Sequence, residues 1–210
     1  MSKIQKRVFR IIFFGSIALI AAASYVLYTA PENLGSRHDT SSSGVAGVQI
    51  NGRFDLINHE GQPVSEEKYA GFFKLIYFGF TYCPSICPTE LQKITAAYKK
   101  LGSLQSSVVP IFISVDPERD TVPVMKEYVA HFHPDMIGLT GSVEQIEEVK
   151  KNFKVFAAKV TSEQTTDYTV DHSSFIYLVG PENKLLKIFR TQDTAKDIAG
   201  QTREIIKAQS

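Results

Sequence analysis

Two stretches of this chain are almost entirely apolar: LIYFGF at 75–80 and VVPIFISV at 108–115. A strand with one face in water alternates apolar and polar side chains, so runs like these predict strands buried on both faces. Such strands need helices above and below them. Helical patterning follows each run, in Thr89 to Leu101 and again in Val122 to Phe132. A short strand is expected near Met136 to Leu139 and a helix from Val143 to Phe153. Further on, SFIYLV at 174–179 and KLLKIF at 184–189 flank Pro181-Glu182-Asn183 and read as an antiparallel hairpin, followed by a helix from Thr194 to Lys207. Upstream, GRFDLINHEGQPV alternates around Glu60-Gly61 as another hairpin would.

Strands alternating with helices, then a hairpin and a last helix, specify an α/β domain: a thioredoxin-like mixed sheet flanked by helices, spanning 48–210. Residues 31–47, PENLGSRHDTSSSGVAG, are rich in Ser and Gly and predict a flexible tether. Ahead of the tether, residues 11–30 carry no charge. At about 1.5 Å per helical residue they extend about 30 Å, which predicts an N-terminal transmembrane helix. Lys3, Lys6, Arg7 and Arg10 make residues 1–10 a basic arm that belongs in the cytoplasm by the positive-inside bias. The expected location is therefore a bacterial inner membrane, single-pass, with the C-terminal domain in the periplasm. A signal peptide cut near Ala21-Ala22-Ala23 is the alternative, but the apolar run continues through Tyr25, Val26, Leu27 and Tyr28. The long Arg- and Ser-rich leader of a mitochondrial transit peptide is not the pattern here.

A composition 43% hydrophobic and 21% charged fits one folded core. The formal net charge is +1, and setting aside the four basic residues of the arm leaves −3 for the remainder, with no basic patch to suit nucleic acid.

Both cysteines lie in FGFTYCPSICPTEL, at 83 and 87, where LIYFGF delivers the chain to the following helix. Prolines 84 and 88 fit a first helical turn, whose N–H groups have no partner within the helix. Residues four apart share a helix face, so Cys83 and Cys87 can present both sulfurs to one point. The helix N-terminus is expected to lower both thiol pKa values. Two chemistries fit. A thiol-disulfide redox pair is one, although its usual motif has two intervening residues where this chain has three. A soft metal site for Cu(I) or zinc is the other, and it needs a third ligand.

Of the five histidines, His38 lies in the tether and His59 beside a turn, both readable as solvated surface residues. His131 and His133 sit where a helix ends and suit its dipole. His172, in DYTVDHSSFIYLV, is either a metal ligand or a hydrogen-bonded loop residue, and Asp171 beside it could orient its imidazole or tune the local charge. In DPERDT, 116–121, Asp116 is expected to end a strand, Arg119 to pair with an acid, and Asp120 or Thr121 to cap the next helix. Phe72, Phe73, Tyr77, Phe78 and Phe80 are expected in the core.

FGFTYCPSICPTEL, DPERDT, the LTG of 139–141 and YTVDHSSFIYLVGPENK of 168–184 together resemble the Sco/SenC family of copper proteins, in order and over nearly the whole domain. The resemblance implies one copper ion, Cu(I) or Cu(II), bound by Cys83, Cys87 and His172. It also implies a membrane-tethered metallochaperone, not an enzyme, that assists assembly of the dinuclear copper centre of cytochrome c oxidase subunit II. The family alternative is a thiol-disulfide oxidoreductase reducing that subunit's cysteines through Cys83 and Cys87. Another periplasmic copper chaperone or a thiol reductase is an implied further partner. Many members have Asp between the cysteines where this chain has Ser85.

Overall fold

The computed structural model describes residues 50–161 and 168–209. The basic arm, the membrane helix and the tether predicted for 1–47 lie outside the described residues, as does His38.

The first hairpin pairs β1 (Asp55–Asn58) with β2 (Pro63–Ser65) in antiparallel register around the expected turn. After a single 3-10 turn at Glu66–Tyr69 comes β3 (Phe73–Gly79), in which every residue is buried. α1 (Ile86–Lys100) follows and leads through a second 3-10 segment into β4 (Val108–Ser114). Next are α2 (Val122–Ala130), β5 (Ile137–Thr140) and α3 (Val143–Phe153). Then come β6 (Ala157–Thr161), β7 (Tyr168–His172), β8 (Ile176–Val179), β9 (Leu185–Phe189) and α4 (Ala195–Gln209).

Seven strands make one mixed sheet in the order β2-β1-β5-β4-β3-β8-β9. The two apolar runs lie side by side at its centre, parallel, with Phe73 opposite Val108 and Gly79 opposite Ser114. β8 pairs antiparallel with β3 on the other side, and β9 antiparallel with β8. α1 packs on α4, α2 on β5 and α3 on β1, so the central strands have no wet face. This is the predicted thioredoxin-like arrangement, and it points the C-terminal ends of β3 and β4 at one edge, where such sheets place their sites.

Four expectations change. α1 starts at Ile86 rather than Thr89, since Pro88 is tolerated inside a first turn. Phe72 is 40% exposed, because β3 begins only after it. His59 is half-buried, and its Nδ1 accepts the Gly138 N–H at 3.1 Å, tying β1 to β5 rather than facing solvent. β6 and β7 form a separate antiparallel hairpin, with Ala157 opposite His172, where no strand was foreseen.

Candidate metal centre

Cys83 lies in the loop between β3 and α1, and Cys87 is in the first turn of α1. The two share no helix face. Instead the Cys87 N–H donates to Cys83 Sγ at 3.4 Å, so the Cys83 sulfur occupies a capping position at the helix N-terminus. Cys87 is fully buried and Cys83 nearly so. Room for the inner sulfur comes from Gly79, where an added Cβ would lie 2.7 Å from Cys87 Sγ. The Tyr77 hydroxyl donates to that same sulfur at 3.8 Å.

His172 ends β7, and its Nε2 is 3.3 Å from Cys87 Sγ. Its ring meets those of Tyr77 and Phe80 edge-on, centroids 6.0 and 5.8 Å away. Nδ1 lies 3.3 Å from the Ser173 carbonyl oxygen. A ring donating from Nδ1 to that carbonyl leaves Nε2 unprotonated toward the sulfurs, the tautomer a metal ligand needs. Asp171 is exposed and lines the same cleft as His172, and among the described contacts the ring bonds to Cys87 and Ser173 rather than to the Asp171 carboxylate.

The sulfurs of Cys83 and Cys87 and a nitrogen of His172 all lie within 4.8 Å of one another, the one such group among the described residues. Both thiols are free. The site opens on a cleft of about 270 Å³ that also involves Phe80, Pro84 and Ile86. A larger cleft, about 520 Å³ between Phe54, Glu66 and Asn152, contains no cysteine or histidine.

The thiols differ in acidity, whereas the sequence suggested that both would be lowered. The Cys83 thiol is shifted well down by the hydrogen bond from Cys87, helped by the N–H groups of Cys87 and Ser85, against the opposing effect of burial. Cys87 is shifted up because it donates that bond and is itself buried. The shared proton therefore favours Cys87, leaving Cys83 the more acidic of the two. A soft cation that replaces the shared proton meets two sulfurs and an imidazole, a set suited to Cu(I) and poorly suited to hard cations.

His131 and His133 stay outside this group. His131 is the C-cap of α2, and His133 packs on Tyr98 with its Nδ1 accepting the Asp135 N–H.

The DPERDT segment forms the layer behind the site. Arg119 pairs with buried Asp116, as expected. Asp120 does not cap α2. It is fully buried, and its carboxylate accepts from the Thr81 N–H and hydroxyl and from the Ser114 hydroxyl, fixing the loop that leads to Cys83. Thr121 takes the N-cap position, but its side chain makes no capping bond.

A model of the SCO1/SenC family matches residues 43–207. The chain belongs to the SCO1/SenC family. A SCO2-like protein of Rickettsia prowazekii is 40% identical over 205 residues, covering 93% of this chain and 96% of that protein. The crystal structure of Arabidopsis thaliana ScoI with copper bound superposes with a TM-score of 0.72 at 43% identity, covering 76% of this chain and 99% of that one. BsSco, described as a Sco-family member with a disulfide switch in a family of cytochrome c oxidase assembly proteins, gives 0.59 at 34% identity over 74% of this chain and 92% of its own.

Sequence reading missed two residues of this Sco/SenC site. Glu90, one turn after Cys87, is fully buried, with Oε1 2.7 Å from Lys93 Nζ and Oε2 without a partner among the described residues. Tyr168 is the other: its hydroxyl donates to Asp116 Oδ1 at 2.7 Å. A Glu in a helix and a Tyr in a polar stretch carry no signal of burial, but Tyr168 opens the YTVDHS motif.

Proposed function

We propose that this protein is a membrane-tethered copper metallochaperone that binds one copper ion through Cys83, Cys87 and His172 and assists assembly of the dinuclear copper centre of cytochrome c oxidase subunit II. The observation that carries this is the meeting of two sulfurs and one imidazole nitrogen within 4.8 Å, in a chain of a family with copper-bound structures. Copper is cargo here. Three soft ligands beside an open cleft leave an approach for an acceptor's ligand, so transfer proceeds by ligand exchange and breaks no substrate bond. The anchor is residues 11–30, with the domain in the periplasm.

The second reading is reduction of that subunit's cysteines by the same thiol pair. It is favoured by the split acidity: a Cys83 thiolate can attack a disulfide while the Cys87 proton serves the leaving thiol. Either function requires the pair to stay reduced, which a thiol reductase or a second copper chaperone in the periplasm would secure.

Anaerobic Cu(I) titration of the reduced protein, with sulfur and nitrogen coordination measured, separates the two. His172→Ala is expected to weaken copper binding by more than the about 10–100-fold typical of losing a group behind a ligand. Its Cys83–Cys87 disulfide should still form and exchange. Cys83→Ser and Cys87→Ser should each lose both properties. Full oxidase assembly with the His172 variant, despite its lost affinity, would rule out copper donation and leave the reductase reading.

A further inference from the structure

His172 is carried by the part of the domain with the least support. β6 and β7 form their own two-stranded sheet, and among their residues only Val170 is buried. A two-stranded hairpin is marginal by itself. The Lys159–Glu118 pair that also links it to the body is exposed on both sides and adds little.

A stronger attachment sits at the start of β7. Arg119 pairs through Nε with Asp116 Oδ2, and its Nη1 donates to the Tyr168 carbonyl at 2.9 Å. Its guanidinium carbon is 3.8 Å from the Tyr168 ring centroid, while the Tyr168 hydroxyl closes the circuit on Asp116 Oδ1. The same guanidinium lies 4.8 Å from the ring centroid of Tyr82, the residue before Cys83, and 5.8 Å from that of Phe80, which meets the His172 ring. Nη2 is buried without a hydrogen-bond partner among the described residues, and stacking on aromatic faces accounts for its place. Only a planar fork can bond the carboxylate, bond the carbonyl and stack at once.

We propose that Arg119 is a positioning residue of the metal centre, clamping Tyr168 to Asp116 at one end of β7 so that His172 at the other end stays over the cysteine pair. The inference rests on the copper site proposed above, but the clamp also has a metal-free consequence.

The test uses the full-length reduced protein in detergent, with Arg119→Ala, Arg119→Lys and Tyr168→Phe. Without metal, contacts between the His172 ring and the Phe80 and Tyr77 rings are followed by NMR. With Cu(I), affinity is measured by competition and nitrogen coordination by X-ray absorption. Arg119→Ala and Arg119→Lys are expected to lose the ring contacts and to weaken Cu(I) binding by about 10-fold or more with reduced nitrogen coordination. In a His172→Ala background, Arg119→Ala should change affinity by less than about 2-fold, because the ligand it positions is gone. Intact ring contacts in Arg119→Ala, or losses that multiply in the double variant, would overturn the proposal. If His172→Ala alone leaves Cu(I) coordination unchanged, the site assignment fails, and the metal-free contacts still decide the clamp. Should Arg119→Ala not fold by circular dichroism, Tyr168→Phe, which removes one hydroxyl and keeps the ring, is judged by the same outcomes.

Discussion

Cys87 Sγ occupies space that exists because residue 79 has no side chain. A methyl group there would meet the sulfur at 2.7 Å and the Phe112 and Tyr77 rings at 3.1 Å, and none of these can swing aside in a close-packed core. Gly79→Ala is expected to destabilise the fold by about 1–3 kcal/mol, the usual cost of overpacking, and to weaken Cu(I) binding as the sulfur is displaced. Denaturant melts together with Cu(I) competition check this, and unchanged affinity would show that the sulfur has room to move. At the far end of the same strand, Lys74 is buried with its Nζ 2.6 Å from Asn183 Oδ1. Burial lowers its pKa from 10.5 to about 8, opposed only by the charge of Glu66. Below about pH 8 the lysine is charged in both folded and unfolded chains, and the cost of burying that charge is fully present. Between about 8 and 10.5 the unfolded chain holds a proton that the native chain has released, so stability rises with pH. The difference between the wild type and Lys74→Met should change by up to about 3 kcal/mol across that window. A constant difference from pH 7 to 10.5 would show that Lys74 keeps its charge in the fold.

Elements whose burial is one-sided or complete were legible in the sequence, and the one whose burial is slight was not. Apolar runs announced β3 and β4, and α3 was found at both its ends. The α3 ends are chemically marked: Ser142 and Gln145 form a capping box, and Lys154 closes the helix in the left-handed region at φ 57°. The β6–β7 hairpin has no such marks. AAKVT and YTVDH are mostly exposed, so no alternation toward a core is imposed on them. The motifs made legible the three residues that meet at the site, Cys83, Cys87 and His172, but not the contacts behind them. Asp120 on Thr81, and Arg119 on Tyr168, join segments dozens of residues apart through polar groups whose burial local sequence does not encode. The physics that hid the hairpin also predicts its behaviour. Its amides should exchange with solvent much faster than those of β3 and β4, which lie at the centre of the sheet. If His172 ligates Cu(I) as proposed, that bond must break before the hairpin can open, so copper should slow exchange in β7 by roughly 10-fold or more. Hydrogen exchange on reduced protein with and without Cu(I) measures this, and equal protection in both states would place His172 outside the coordination sphere.

For the whole molecule the central issue is compartment. Among the described residues no helix is long and apolar enough to cross a membrane, and the uncharged stretch at 11–30 is the proposed anchor. That stretch follows four basic residues, and the charge on its two sides differs in sign, with the remainder of the chain at formal −3. Positive residues resist translocation, so on the proposed topology the basic arm stays inward and the thioredoxin-like domain is exported. Export matters for the chemistry because two thiols held within 4.8 Å of one another's ligand atoms are readily oxidised to a disulfide where no reducing pool protects them. If the domain is exported as proposed, copper carriage requires a reductant, or copper itself, to keep the sulfurs from pairing. In cells, the full chain is expected to stay in the membrane fraction through high salt and alkaline washing, and a reporter fused after Ser210 should be active only as an exported protein. Removal of residues 1–30 should release the domain to the soluble fraction with its Cu(I) coordination unchanged, since all three proposed ligands lie between 83 and 172. A mature protein beginning near Ser24 and free of the membrane would replace the anchor with a cleaved signal. A reporter active only in the cytoplasm would reverse the topology and remove the need for a reductant outside the cell membrane.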